Sequence, residues 1–198
     1  MNIPNALRII RDEHAALAAL LRSLALLVRD ARRRNGTPDF RVLRAMLFYV
    51  DEYPERLHHV KESTMLFPRL RECTADANEV LARLDHDHKH GGVLVRELEH
   101  KLTAWELLGE PRRDAFERAL EEYVAFYLEH MRIEETEVLP LAEQHFGEAD
   151  WLMLDRAFGA HRDPLVTPGP ETPYVELFRT IVNTTPAPYG LGEARSSP

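Results

Sequence analysis

The chain has 198 residues and one cysteine, Cys73, so an internal disulfide framework is excluded. Glycine is scarce, at 9 residues, and runs of β-branched residues are few, so local preference favours helix. Basic clusters are missing as well. The densest, Ala31-Arg32-Arg33-Arg34, falls at the end of an expected helix, where positive charge complements the helix dipole. A net charge of −8 gives no electrostatic attraction to nucleic acid or to an anionic membrane surface. No uncharged apolar run approaches the ~20 residues needed to span a bilayer. Near the N-terminus, Arg8, Arg11, Asp12 and Glu13 interrupt any apolar signal segment. The expectation is a soluble protein in a reducing, cytoplasmic setting, with neither nucleic acid nor membrane as partner.

What is present is helical periodicity. Apolar residues make up 44% of the chain, enough to build a core in a chain of one-domain size. Over 5–34 the stripe Leu7, Ile10, His14, Leu17, Leu21, Leu24 and Val28 steps by three and four, as a core-facing helix requires. Asn35-Gly36-Thr37-Pro38 supplies a turn. A second helix is expected over 39–72, kinked by Pro54 about one turn before His58. A third starts near Thr74, a good N-cap, and runs to about Leu108, where Gly109-Glu110-Pro111 ends it. Its stripe includes Leu84, His88, Gly91 and Val95. The fourth covers 111–145, with Phe116, Leu120, Tyr123, Tyr127, His130, Glu134 and Val138 facing inward. Four long amphipathic helices with short turns predict an all-α, antiparallel up-down four-helix bundle. A short fifth helix is expected over 148–158. From Pro164 onward lie seven of the thirteen prolines, predicting an irregular strap with one helical turn near 175–181. Its Tyr174, Phe178, Ile181 and Tyr189 should pack on the bundle. The domain division is therefore 1–160 for the bundle and 161–198 for a C-terminal extension.

One pattern occurs twice. HHVKESTMLFP (58–68) and HMRIEETEVLP (130–140) both read H-x-x-x-E-x-T-x-[apolar]-[apolar]-P. Four residues apart on a helix means one face, so each copy aims an imidazole and a carboxylate at one point. The halves repeat more widely. EHAALAALLRSL (13–24) aligns with DHKHGGVLVREL (87–98), matching His14 with His88, Arg22 with Arg96 and Leu24 with Leu98. His14 and His58 lie equally far from Gly36, and His88 and His130 equally far from Gly109. In antiparallel neighbours, equal distance from the turn means equal height, since each residue adds 1.5 Å of rise. Thus His14, His58, Glu62, His88, His130 and Glu134 should share one layer of the core. A lone inward histidine is more often a hydrogen-bonded core residue. Two inward carboxylates at one level are harder to dismiss, because each costs several kcal/mol unless paired or bound to a cation. A metal site is the expectation.

Other residues have weaker claims. His86-x-x-x-His90 is a rival ligand pair on the third helix, although both should face outward. His59 could support the site or join it. Glu135 is expected to be solvated, while His100, His145 and His161 read as surface or capping residues and Cys73 as a structural bystander. Imidazole with carboxylate, and no thiolate, suits iron, manganese or zinc. Six ligands for two metals leave coordination positions open, unlike a closed structural zinc site.

These motifs resemble the hemerythrin-like family, the HHE cation-binding domain, with its His on one helix and His-x-x-x-Glu on the next, twice. LHHVKESTMLFPRLR (57–71), DW…AF…DP (150–164) and PAPYGLG (186–192) are similar to a bacterial single-domain branch of it. The resemblance implies a four-helix bundle with a di-iron site at His14, His58, Glu62, His88, His130 and Glu134. Oxygen-carrying members have His-x-x-x-His on the third helix and five histidines in all; here only His88 is well placed there. The expected function is a metal-binding protein, with two irons per chain, sensing or buffering oxygen, nitric oxide, redox state or iron. The alternative is a di-iron oxidoreductase acting on peroxide or another small oxidant, for which Tyr127 is a candidate partner. A third reading puts zinc on the same ligands in a structural role. Expected partners are metal ions and small diatomic or oxidant ligands, with a homo-oligomer left open.

Overall fold

The computed structural model describes residues 4–160 and 165–166, and every regular element among them is a helix. α1 is Asn5–Arg33 and α3 is Asn78–Leu108. Between them α2 covers 40–73, and after them α4 covers 113–145; both are continuous rods of mixed helical pitch. α5 is Glu148–Ala160, two residues longer than expected. Thr74 and Gly109 cap as the sequence announced, and Asp39, expected as the first residue of the second helix, is its N-cap. Asp39 accepts the Arg41 N–H at 2.9 Å, the Thr74 hydroxyl accepts from Asp76 at 3.2 Å, and Gly109 takes φ 78° to end α3. In the first turn Asn35, not Gly36, adopts the left-handed conformation, which asparagine tolerates.

Proline writes the irregularities. The kink expected at Pro54 takes the form of a widened, π-helical stretch, Asp51–His58, in which the His59 N–H reaches back five residues to the Pro54 carbonyl. Two further widened turns, Glu62–Leu66 and Glu134–Val138, begin at the repeated glutamates. In each, the residue before Pro68 or Pro140 donates to the glutamate carbonyl five back. Proline has no N–H for the carbonyl four residues earlier, and its ring presses on it, so one turn opens. The repeated threonines bond backwards as well: Thr64 to the Val60 carbonyl at 2.5 Å and Thr136 to that of Arg132 at 2.7 Å. The Thr and Pro of the motif are thus backbone devices, and both act beside its carboxylate.

α3 packs along α4, α1 against α4 and α5, and α2 against α3. The buried apolar side chains fall into two clusters. One contains Leu21, Leu24, Met46, Leu98, Trp105, Phe116 and Tyr123. The other contains Leu7, Ile10, Phe67, Leu81, Leu84, Val138 and Phe158. Between them lies a polar layer. α5 is tied down near this layer: Asp155 accepts the Ala6 N–H at 2.6 Å, and Phe158 meets the His58 ring edge-on at 6.0 Å. Of the expected C-terminal extension, Leu165 packs against the first cluster. The helical turn at 175–181 and the strap residues Tyr174, Phe178, Ile181 and Tyr189 lie outside the described residues.

Candidate metal centre

All six residues singled out from the sequence meet in the polar layer. His14 comes from α1, His58 and Glu62 from α2, His88 from α3, and His130 and Glu134 from α4. Glu62 and Glu134 are 0% and 1% exposed. The imidazoles form two pairs, His14 with His58 and His88 with His130, each with its Nε2 atoms 3.1 Å apart. The carboxylates lie between the pairs. Glu62 turns Oε1 to His58 Nε2 at 3.1 Å and Oε2 to His88 Nε2 at 3.5 Å. Glu134 turns Oε2 to His14 Nε2 at 3.2 Å and Oε1 to His130 Nε2 at 3.3 Å. Each carboxylate therefore offers one oxygen to each pair.

None of these four oxygens has a hydrogen bond of acceptable geometry, although all are buried. The ion-pairing groups within 4.0 Å of either carboxylate are imidazoles, among the described residues. Orphaned buried carboxylate oxygens are costly, and a cation at each pair would satisfy them. The donor set fits divalent metal ions.

The outward nitrogens carry a second pattern. His58 Nδ1 faces Glu13 at 2.6 Å and His130 Nδ1 faces Asp87 at 3.6 Å. His14 Nδ1 bonds Glu135 at 3.0 Å and His88 Nδ1 bonds the Ser63 hydroxyl at 2.8 Å. A partner on Nδ1 places the proton there and turns the Nε2 lone pair inward, as metal ligation needs. The pattern follows the internal repeat. Glu13 and Asp87 immediately precede His14 and His88, while Ser63 and Glu135 immediately follow Glu62 and Glu134. Glu135, expected to be solvated, is 40% exposed in its side chain but is held by His14. Replacing Glu13 with glutamine should weaken metal binding about 10- to 100-fold, the usual cost of losing such a partner. Competition with a coloured chelator would measure it.

Charge is stored in the layer as protons. Burial opposes charging the imidazoles, but the carboxylates outweigh it. Glu134 and Glu135 raise His14, Glu62 and Glu13 raise His58 well above its ordinary value, and Glu134 with Asp87 lifts His130 to about 10. Burial also works against ionised Glu134, yet His130 beside it holds the carboxyl well below the usual range. Metal uptake must displace these protons, so affinity should rise with pH.

Next to the layer sits a cluster that periodicity alone did not assemble. Burial lifts the Glu55 carboxyl to about 7, against the opposing bonds of Tyr127 and Tyr123. Both phenols donate to Glu55 Oε1, Tyr123 at 3.4 Å and Tyr127 more closely. The cluster needs Gly91 on α3. A Cβ there would strike the Tyr127 hydroxyl, lying 2.7 Å from Cζ and 2.9 Å from Glu55 Oε1. Gly91→Ala gains about 1 kcal/mol of helix propensity. It loses more, through overpacking worth about 1–3 kcal/mol and a displaced Tyr127–Glu55 bond worth about 1–3 kcal/mol. The expected result is a net loss of stability, read as a lower urea midpoint.

The rivals do not join. His86 and His90 are exposed and stack on each other 6.1 Å apart, on the outer face of α3. His100 is exposed, His145 and Cys73 are half-buried, and His161 lies outside the described residues. No helix among the described residues is long and apolar enough to cross a membrane.

No curated protein and no solved structure matches the chain. A family model does match, that of the hemerythrin HHE cation-binding domain, over residues 5–142. That span takes in both His-x-x-x-Glu copies together with His14 and His88, and the chain belongs to the hemerythrin HHE cation-binding family.

Proposed function

We propose that this protein is a non-haem di-iron protein that senses or buffers a small ligand, such as oxygen or nitric oxide, redox state, or iron. His14 and His58 would hold one ion with Glu62 Oε1 and Glu134 Oε2. His88 and His130 would hold the other with Glu62 Oε2 and Glu134 Oε1. The observation that carries this reading is the set of four buried carboxylate oxygens, without hydrogen bonds, facing four inward imidazole nitrogens. Iron supplies open coordination positions and one-electron chemistry; zinc or manganese would suit the same donors. The same reading takes the four rods as an antiparallel up-down bundle spanning 1–160, followed by a separate extension over 161–198, in a cytoplasmic protein of the bacterial single-domain kind.

Access favours small ligands. A cleft lined by Glu13, His14, Tyr53, Pro54, His58 and Lys61 has a cavity volume of about 10 Å³, the room one water molecule needs. An organic substrate would not fit in that cleft. The buried Tyr127–Glu55 pair beside His130 favours a second reading, an oxidoreductase acting on peroxide or another small oxidant.

The test is metal content after anaerobic purification, followed by the visible spectrum in air. Two irons per chain, with absorption that reverses on removing oxygen, is the result for a gas-binding protein. Irons that oxidise once and recover only with added reductant would favour redox sensing, or turnover if peroxide is consumed repeatedly. Zinc at the site, or no metal, would overturn the reading.

A further inference from the structure

We propose that the groove between α2 and α5 is a docking face for an acidic amphipathic helix of a partner protein. The inference is independent of the two-metal reading, because none of the six ligands lines the groove. Its cavity volume is about 710 Å³. Its wall is largely apolar: Leu57, Val60 and Met65 come from α2, and Leu152 and Met153 from α5. Seven large apolar side chains are exposed among the described residues, and three of them, Val60, Leu152 and Met153, stand together here. Contiguous exposed apolar surface marks an interaction site where scattered residues do not. The two methionines suit such a face, since their unbranched side chains adapt to a partner's shape.

Charge selects the partner. The chain has 33 acidic and 25 basic residues, yet this groove has Arg56, Lys61 and Arg156 in its wall and no carboxylate. Four other clefts each have a carboxylate in the wall, from Glu13, Asp39, Glu122 and Glu135. Arg56 is held by Asp51 at 2.7 Å and Glu52 at 3.2 Å. Lys61 stands 5.2 Å over the Phe158 ring. Arg156 is exposed and has no ion pair among the described residues. A second copy of this chain laid symmetrically on the face would set Lys61 and Arg156 against the same residues, and like charges oppose that. Carboxylates on a different partner would meet them favourably.

The register sets the shape of the occupant. Arg69 on α2 bonds Asp150 on α5 at 2.6 Å, and Lys61 stands over Phe158. The helices therefore run antiparallel and side by side, from Lys61 to Arg69 and from Asp150 to Phe158, about 12 Å or two turns. Met65, Leu152 and Met153 lie toward one end of this trough, and Arg56, Lys61 and Arg156 toward the other. A helix laid in it would bury apolar residues at i, i+3, i+4 and i+7 and set acidic residues at the basic end. Both walls are braced from behind. Leu154 and Phe158 bury the inner face of α5, while His58 and Glu62 turn that of α2 into the polar layer. The face is thus formed in advance, which lowers the cost of binding.

The probe is a synthetic fluorescent peptide of about 18 residues, or five turns, with leucine at that spacing and glutamate or alanine elsewhere. A matched peptide has lysine in place of glutamate. Anisotropy titrations of the full chain should show saturable binding of the acidic peptide, about tenfold or more tighter than the lysine peptide. Leu152→Glu should weaken the acidic peptide by more than about tenfold. Arg156→Glu should weaken it by about tenfold and strengthen the lysine peptide, the reversal that charge complementarity requires. Absence of saturable binding to wild type would overturn the proposal, as would equal affinity for the two peptides. Wild-type dimers in sedimentation velocity that Leu152→Glu dissociates would also overturn it, since the occupant would then be a second copy. Should Leu152→Glu not fold, judged by circular dichroism, Arg156→Glu decides: unchanged affinity for both peptides overturns the proposal. Metal is counted in the same preparations, so docking by a protein that holds none would support this inference while overturning the metal reading.

Discussion

Glu134→Ala is expected to remove at least one metal per chain, and to weaken both positions more than 100-fold if one ion survives. The size follows from the geometry. Glu134 places Oε2 3.2 Å from His14 Nε2 and Oε1 3.3 Å from His130 Nε2, so one truncation strips an oxygen from each position. His58→Ala removes a nitrogen from one position only and should leave the other ion in place. His100→Ala, on the exposed surface, should leave both. Metal counting by mass spectrometry, with affinity from chelator competition, distinguishes the three. A Glu134→Ala protein that kept two tightly bound ions would disprove the assignment of this carboxylate.

Metal removal should cost stability in a pH-dependent way. With free metal at about 1,000 times Kd, each ion stabilises the fold by about 4 kcal/mol, or about 8–16 °C in Tm for a chain of this size. Without metal, protonated imidazoles substitute for the cations. The folded-state pKa of His130, about 10, lies above its ordinary 6.5. Its contribution is therefore complete below pH 6.5 and is lost as pH rises through about 10. His14 and His58 act in the same sense. Glu55, lifted from 4.5 to about 7, adds a loss between those values. Glu134 is depressed, so its contribution is present above 4.5 and disappears as pH falls through its lower folded value. The metal-free protein should thus melt highest on the acid side of neutrality and lower toward pH 9. The metal-loaded protein holds none of these protons, so it should gain stability as pH rises to about 6.5, where the unfolded histidines titrate, and stay level above it. Paired melts with and without chelator would show the gap widening with pH. A constant gap would mean that the ions do not compete with these protons.

Much of this centre was legible before any fold. A stripe of three- and four-residue steps sets the face on which a side chain lies, and equal distance from a turn sets its height. Those two rules brought His14, His58, Glu62, His88, His130 and Glu134 to one layer, where the structure has them. They also set His86 and His90 on the outer face. The widened turns before Pro68 and Pro140 were not legible, because a proline late in a helix signals a kink without saying which hydrogen bonds will shift. Glu13, Asp87, Ser63 and Glu135 were adjacent in sequence to the six, and the repeat marked two of them. Their function was not legible, since a helix period gives direction on its own helix and says nothing of which neighbour it meets.

The chain alone therefore determined helical class, the level of the site and its chemistry, all consequences of periodicity and residue type. Tertiary structure decided which nitrogen faces which oxygen. It also decided that Glu55, Tyr123 and Tyr127 form one arm. That arm depends on how closely α4 approaches α3 at Gly91, a distance of a few ångströms set by packing across two helices and encoded in neither alone.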